Sequence, residues 1–150
     1  MALESSKVPG LRYIQIFCMA CAVGGDYMLI GIDMVDIARI RSVAIRVPRF
    51  LKRVFTEQEL AYCFSKNDPY PSLAARFAVR EAVRKLDAVF VEGISFHDTE
   101  VLSDSKGKPY LILHNAALHR AGEAGISDWS ISLSHNREQA IAVIIAKRGG

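Results

Sequence analysis

Residues 73–86, Leu-Ala-Ala-Arg-Phe-Ala-Val-Arg-Glu-Ala-Val-Arg-Lys-Leu, constrain the fold more than any other stretch, because their pattern has the period of a helix. Ala75, Val79, Ala82, Val83 and Leu86 make its buried face. Arg76, Arg80 and Arg84 are each four apart, so three guanidinium groups stack in a row on the opposite side, where they suit phosphates. Glu81 falls on the flank, between Phe77 and Lys85 and beside the small Ala74 and Ala78, as a half-buried carboxylate. The plainer alternative pairs Glu81 with Lys85 and leaves the arginines as a solvated face.

A length of 150 residues, 51% of them hydrophobic, gives one domain with its own core. A net charge of +3 is compatible with phosphate ligands or acidic partners. Without interleaved aromatics or a docking motif, it does not indicate nucleic acid. The three cysteines Cys18, Cys21 and Cys63 cannot form a disulfide framework, which points to the cytoplasm, and Cys18-x-x-Cys21 lacks the second pair a metal site needs. Lys7, Arg12 and the apolar run 13–23 mimic a secretory signal, but 11 residues are too few to span a bilayer. Residues 1–26 are therefore read as an extension of unknown role before a single domain at 27–150, with Met28 a candidate start.

Residues 27–35 are a continuous apolar run broken by one carboxylate, as in a buried strand. Asp33 shares a face with Leu29 and with Gly31, which leaves room beside it. An unpaired buried aspartate is too costly, so Asp33 requires a basic side chain or a metal, unless it caps the following helix. Residues 36–55 read as a helix with six basic residues against one acid, interrupted or kinked at Pro48. If Pro48 only kinks it, Arg39, Arg46 and Arg49 lie on one side, suited to an acidic partner. Thr56-Glu57-Gln58-Glu59 is a capping box opening a second helix. Beyond residue 86 the reading is strand at 94–102, turn at 104–108, strand at 109–113, and a short helix at 115–122 capped by Asn115. Trp129, Ile131, Leu133 and His135 alternate with serines as a half-buried strand, and 140–146 is the last and most apolar one.

Gly31-Ile32-Asp33 with Arg39, Arg76-Phe77-Ala78-Val79-Arg80-Glu81-Ala82 with Lys85, Gly107-Lys108-Pro109 and Ser132-Leu133-Ser134-His135 together resemble the holo-acyl-carrier-protein synthases. These are the small class of 4'-phosphopantetheinyl transferases, and the resemblance runs from about residue 28 to 146. It implies an α+β fold with helices packed on an antiparallel sheet, and a homotrimer with sites between subunits. The activity implied is magnesium-dependent transfer of the phosphopantetheine arm of coenzyme A to a serine of apo acyl carrier protein, releasing 3',5'-ADP. By position, Asp33 and Glu81 would be magnesium ligands, and Arg76, Arg80, Lys85, Gly107 and Pro109 would contact coenzyme A. Arg39 would contact the carrier protein, joined by Arg46 and Arg49. The serine proton goes to Glu81, directly or through water, or to His135, whose other reading is a residue that only orders its turn.

Two departures stand out. The family usually has Lys where this chain has Arg80, and the two are not interchangeable. A glycine-rich loop usually follows the helix, whereas residues 87–92 precede a lone Gly93 here. A weakened or inactive homologue that only binds carrier protein is therefore the alternative, against which the retained Asp33, Glu81 and Lys85 argue.

Overall fold

The computed structural model describes residues 21–23 and 26–149. In chain order the elements are β1 (Cys21–Val23), β2 (Asp26–Asp36), α1 (Ile37–Arg46), α2 (Phe50–Val54), α3 (Glu57–Phe64), α4 (Tyr70–Leu86), β3 (Thr99–Ser103), β4 (Pro109–Leu113), α5 (Asn115–Glu123), β5 (Ile126–His135) and β6 (Gln139–Arg148), with short 3-10 turns at Ala88–Phe90 and Phe96–Asp98. The α+β architecture is as the resemblance implies. Strands β1, β2, β6 and β5 form one antiparallel sheet in that order, and β3 and β4 form a second. Trp129 Nε1 donates to the Leu111 carbonyl at 3.1 Å and ties the two together. Of the extension read at residues 1–26, residues 1–20, 24 and 25 lie outside the described residues, while Cys21–Val23 pair with β2 as β1 and Asp26 opens β2. Among those described, no helix is long and apolar enough to cross a membrane.

One face of the larger sheet is lined by small residues and covered by α4. Leu29, Gly31, Asp33 and Val35 of β2 and Ala140, Ala142, Ile144 and Ala146 of β6 point inward, as period-two alternation requires. Helix α4 packs on both strands, with Ala74, Ala75, Ala78 and Ala82 buried and Ala82 against Gly31. The other face exposes Ile30, Ile32, Met34, Ile141 and Ile145.

Several boundaries differ from expectation, for local reasons. Helix α1 ends at Arg46, and Pro48 separates it from α2 instead of kinking one long helix. Arg49 follows with a left-handed φ of 72°, so helical periodicity no longer relates it to Arg39 and Arg46. Residues 94–98 are not strand, because Asp98 turns back to accept from the Ser95 amide at 3.0 Å and closes a 3-10 turn; β3 starts only at Thr99. The position before α5 is His114, and α5 starts at Asn115, whose φ of 45° is left-handed. The capping box at Thr56 is present in full.

The largest difference concerns α4. Every residue from Leu73 to Val83 is buried, so the helix has no solvated arginine face in that span. Elements α2, α3, β3 and the turn at Phe96–Asp98 form a second layer over the arginine side, and a helix buried all round is central rather than amphipathic.

Candidate active site

Asp33, Glu81 and Lys85 come together where α4 crosses β2. Strand alternation turns Asp33 inward, where it is 7% exposed. Lys85 Nζ reaches Asp33 Oδ1 at 2.6 Å. The ammonium thus answers the aspartate's need for a cation, and the alternative role as a helix cap is not taken up. Nor is the local Glu81–Lys85 pair found, since the lysine spends its charge across the interface. Burial raises the Asp33 pKa, with Lys85 opposing it. Glu81 is 8% exposed, buried more deeply than its flank position indicated, and accepts no hydrogen bond among the described residues. Burial pushes its pKa up to about 7, the Arg84 charge pulls it down, and the neighbouring Asp33 raises it further.

The donor set suits a hard cation. Asp33 Oδ2 is buried without a hydrogen-bond partner, and Glu81 has both oxygens uncommitted. Among the described residues no cluster of three or more His, Cys, Asp or Glu could hold a metal. Two carboxylates fit Mg²⁺, which keeps several waters and takes its remaining ligands from substrate phosphates.

The arginine row resolves into three environments. Arg76 is 3% exposed; its Nε donates to the Val101 carbonyl at 3.3 Å and its Nη2 to Ser103 Oγ at 3.3 Å. Its guanidinium carbon lies 4.4 Å above the Tyr62 ring. The Ser103 hydrogen bond lowers the Tyr62 pKa. Arg80 is 2% exposed and forked onto Glu59 at 2.9 and 2.6 Å, while its Nε donates to the Phe96 carbonyl at 3.0 Å. It is a core residue with no face free for a phosphate, which corrects its reading as a coenzyme A contact. Arg84, half-buried, lines a depression with Arg53, Ser95, Phe96 and His97.

Of the remaining predicted residues, His135 is exposed at the end of β5, its Nδ1 3.3 Å from the Asn136 carbonyl oxygen. It pairs with Ala140, as Leu133 pairs with Ala142 beside Asp33, so it sits two positions beyond the Asp33 row. That is roughly 7 Å along the strand and about 10 Å across it. The structure brings together Asp33, Glu81 and Lys85 within this chain and does not bring His135 to them. Gly107 is at the exposed β3–β4 turn with φ 81°, and Pro109 pairs with Ser103 next to Arg76. Arg39 and Arg46 are exposed on α1, with Arg39 Nε 3.4 Å from Asp36 Oδ2. Sequence reasoning missed Glu59 as a buried anion, because its capping-box role already accounted for a carboxylate there. It also missed Arg120, which donates to the Val89 carbonyl at 3.0 Å and to that of Glu92, holding the segment that replaces the glycine-rich loop.

The family model that matches residues 29–144 is that of the 4'-phosphopantetheinyl transferase superfamily. The holo-[acyl-carrier-protein] synthase of Moorella thermoacetica is 42% identical over 117 residues, covering 78% of this chain and 91% of that one. The corresponding protein of Herpetosiphon aurantiacus is 42% identical over 126 residues, covering 79% and 97%. Among solved structures, the holo-[acyl-carrier-protein] synthase of Helicobacter pylori in complex with coenzyme A matches with a TM-score of 0.67 at 34% identity, covering 79% of this chain and 99% of that one. The chain belongs to the 4'-phosphopantetheinyl transferase superfamily, within which its relatives are holo-[acyl-carrier-protein] synthases.

Proposed function

We propose that this chain transfers the 4'-phosphopantetheine group of coenzyme A to a serine of an apo acyl carrier protein and releases 3',5'-ADP. The observation that carries the reading is the meeting of two buried carboxylates beside Lys85, where among the described residues one Asp33 oxygen has no partner and Glu81 accepts no hydrogen bond. Asp33 and Glu81 would hold Mg²⁺, which supplies charge neutralisation at the pyrophosphate oxygens. The serine oxygen attacks the β-phosphorus, the bond from that phosphorus to the bridging oxygen breaks, and 3',5'-ADP departs with the electron pair. Lys85 stabilises charge growing on the non-bridging oxygens. Glu81 takes the serine proton, directly or through water, as a carboxylate that accepts no hydrogen bond among the described residues. His135 is the second choice for the base, reached from a neighbouring subunit or by motion of its turn.

The β3–β4 turn with Gly107 and Pro109 would receive the nucleotide, with Arg76, bonded to Ser103 opposite Pro109, behind it as a buried positive charge. Arg39 and Arg46 on the exposed side of α1, with the exposed Ile45 on its flank, offer a surface to an acidic carrier protein. The bare apolar sheet face fits a homotrimer with sites between subunits. We take 27–150 as the transferase domain, 1–26 as an extension, and the cytoplasm as its compartment.

The deciding experiment incubates the protein with Mg²⁺, coenzyme A and apo carrier protein and reads the carrier's mass. A gain of one phosphopantetheine group, abolished by EDTA, is expected; an unchanged mass overturns the reading.

A further inference from the structure

Helix α4 is held on two nearly opposite sides at the turn that carries Glu81. At about 100° per residue, Ala82 lies roughly 200° around the helix from Arg80, with Glu81 between them. On the sheet side, a β-carbon on Gly31 would overlap the Ala82 carbonyl oxygen, so backbone meets backbone there. On the other side, Arg80 is forked onto Glu59 at 2.9 and 2.6 Å and bonded to the Phe96 carbonyl at 3.0 Å.

Glu59 is itself fixed from three directions. Its Oε2 accepts from the Thr56 amide at 2.9 Å and its Oε1 from the Val101 amide at 2.9 Å, while its own amide donates to Thr56 Oγ1 at 3.3 Å. Thr56 in turn donates to Glu100 Oε2 at 2.5 Å. Strand β3, the cap of α3 and the turn at Phe96 thus converge on one guanidinium with 0% and 2% of the two side chains exposed. A buried ion pair of this kind is often replaceable by apolar residues without loss of stability, so stability alone does not explain it. What a fork adds is direction: it admits one rotation of α4 about its axis, whereas apolar contacts admit several.

We propose that Glu59 is a positioning residue for the reaction, acting through Arg80 to fix the rotation of α4 that points Glu81 at Asp33. Neither Glu59 nor Arg80 touches substrate in this scheme. Phosphoryl-group transfer depends chiefly on placement, and a misplacement of about 1 Å costs on the order of 10²-fold in rate. The proposal rests on the assignment of Asp33 and Glu81 above.

The test compares the full chain with Glu59→Met/Arg80→Met, which keeps volume but removes the fork, and with Arg80→Lys, which keeps a cation for Glu59. Folding is checked by circular dichroism. The readouts are kcat, KM for coenzyme A, and Mn²⁺ affinity without coenzyme A, by electron paramagnetic resonance. The double variant should fold, keep KM within about threefold, lose at least tenfold in kcat and bind Mn²⁺ at least fivefold more weakly, with Arg80→Lys restoring most of both. A folded double variant with kcat and Mn²⁺ affinity within twofold of the parent overturns the proposal. If the double variant does not fold, Glu59→Asp, which draws the carboxylate back by one methylene, is measured the same way; at least a threefold loss in kcat at constant KM supports the proposal, and no change overturns it. Failure of the parent to bind Mn²⁺ counts against the metal assignment, and the kcat comparison then decides on its own.

Discussion

Gly31 and Ala82 touch backbone to backbone across the β2–α4 interface: a β-carbon on Gly31 would overlap the Ala82 carbonyl oxygen and stand 2.9 Å from Ile144 Cγ2. Neither obstacle is the far end of a flexible side chain. Gly31→Ala must therefore lift the helix at the level of Glu81, at a cost of about 1–3 kcal/mol. We expect a lower urea midpoint at unchanged m and a fall in kcat larger than the loss of folded protein explains.

Asp33→Ala and Glu81→Ala each remove one proposed metal ligand. Several kcal/mol of transition-state stabilisation go with it, a rate loss on the order of 10²-fold or more, with the circular dichroism spectrum unchanged. Near-normal turnover at saturating magnesium would falsify the two-carboxylate site.

Glu81 makes stability depend on pH in a defined direction. Its folded pKa of about 7 lies above the ordinary 4.5, so between those values the native state binds more protons than the unfolded one. Stability in EDTA should therefore fall as pH rises through that window, by roughly 3 kcal/mol at most. Glu81→Gln should flatten the curve and be the more stable protein at pH 8 while losing activity. Urea titrations at a series of pH values check this, and a flat parental curve contradicts it.

Charge reversal separates the basic residues of the first helices. Arg39 and Arg46 lie seven apart on α1, whereas Arg49 stands beyond Pro48 with left-handed backbone. Arg39→Glu and Arg46→Glu should lower kcat/KM for the carrier protein about tenfold at low salt, flatten its dependence on ionic strength, and leave KM for coenzyme A unchanged. Arg49→Glu should have the smaller effect. Equal weakening of coenzyme A binding would place the dock elsewhere.

Ile32 and Met34 are 53% and 55% exposed on the open sheet face. A lysine there would be desolvated in any assembly that covers this face. If the proposed trimer forms through this face, Ile32→Lys should give monomers by light scattering and remove activity with them. An Ile32→Lys protein that still assembles shows that another surface is used.

The sequence by itself determined the inward face of β2, since a strand's period of two puts Asp33 with Leu29, Gly31 and Val35 wherever the strand is placed. It determined α4 in the same way, and the capping box at Thr56, whose contacts span only three residues. Periodicity fixes how side chains are arranged around their own axis, but not what lies against them. Only the tertiary structure decided that the arginine side of α4 is dry, because the covering layer comes from segments as far away as Glu59 and Phe96. It also decided the partner of Lys85. Local spacing offers Glu81 four residues away, yet the ammonium goes to Asp33, 52 residues distant, which only the packing of α4 on β2 brings within 2.6 Å. Among the described residues Glu81 is thereby left without a hydrogen bond, beside an aspartate with one oxygen that has none either.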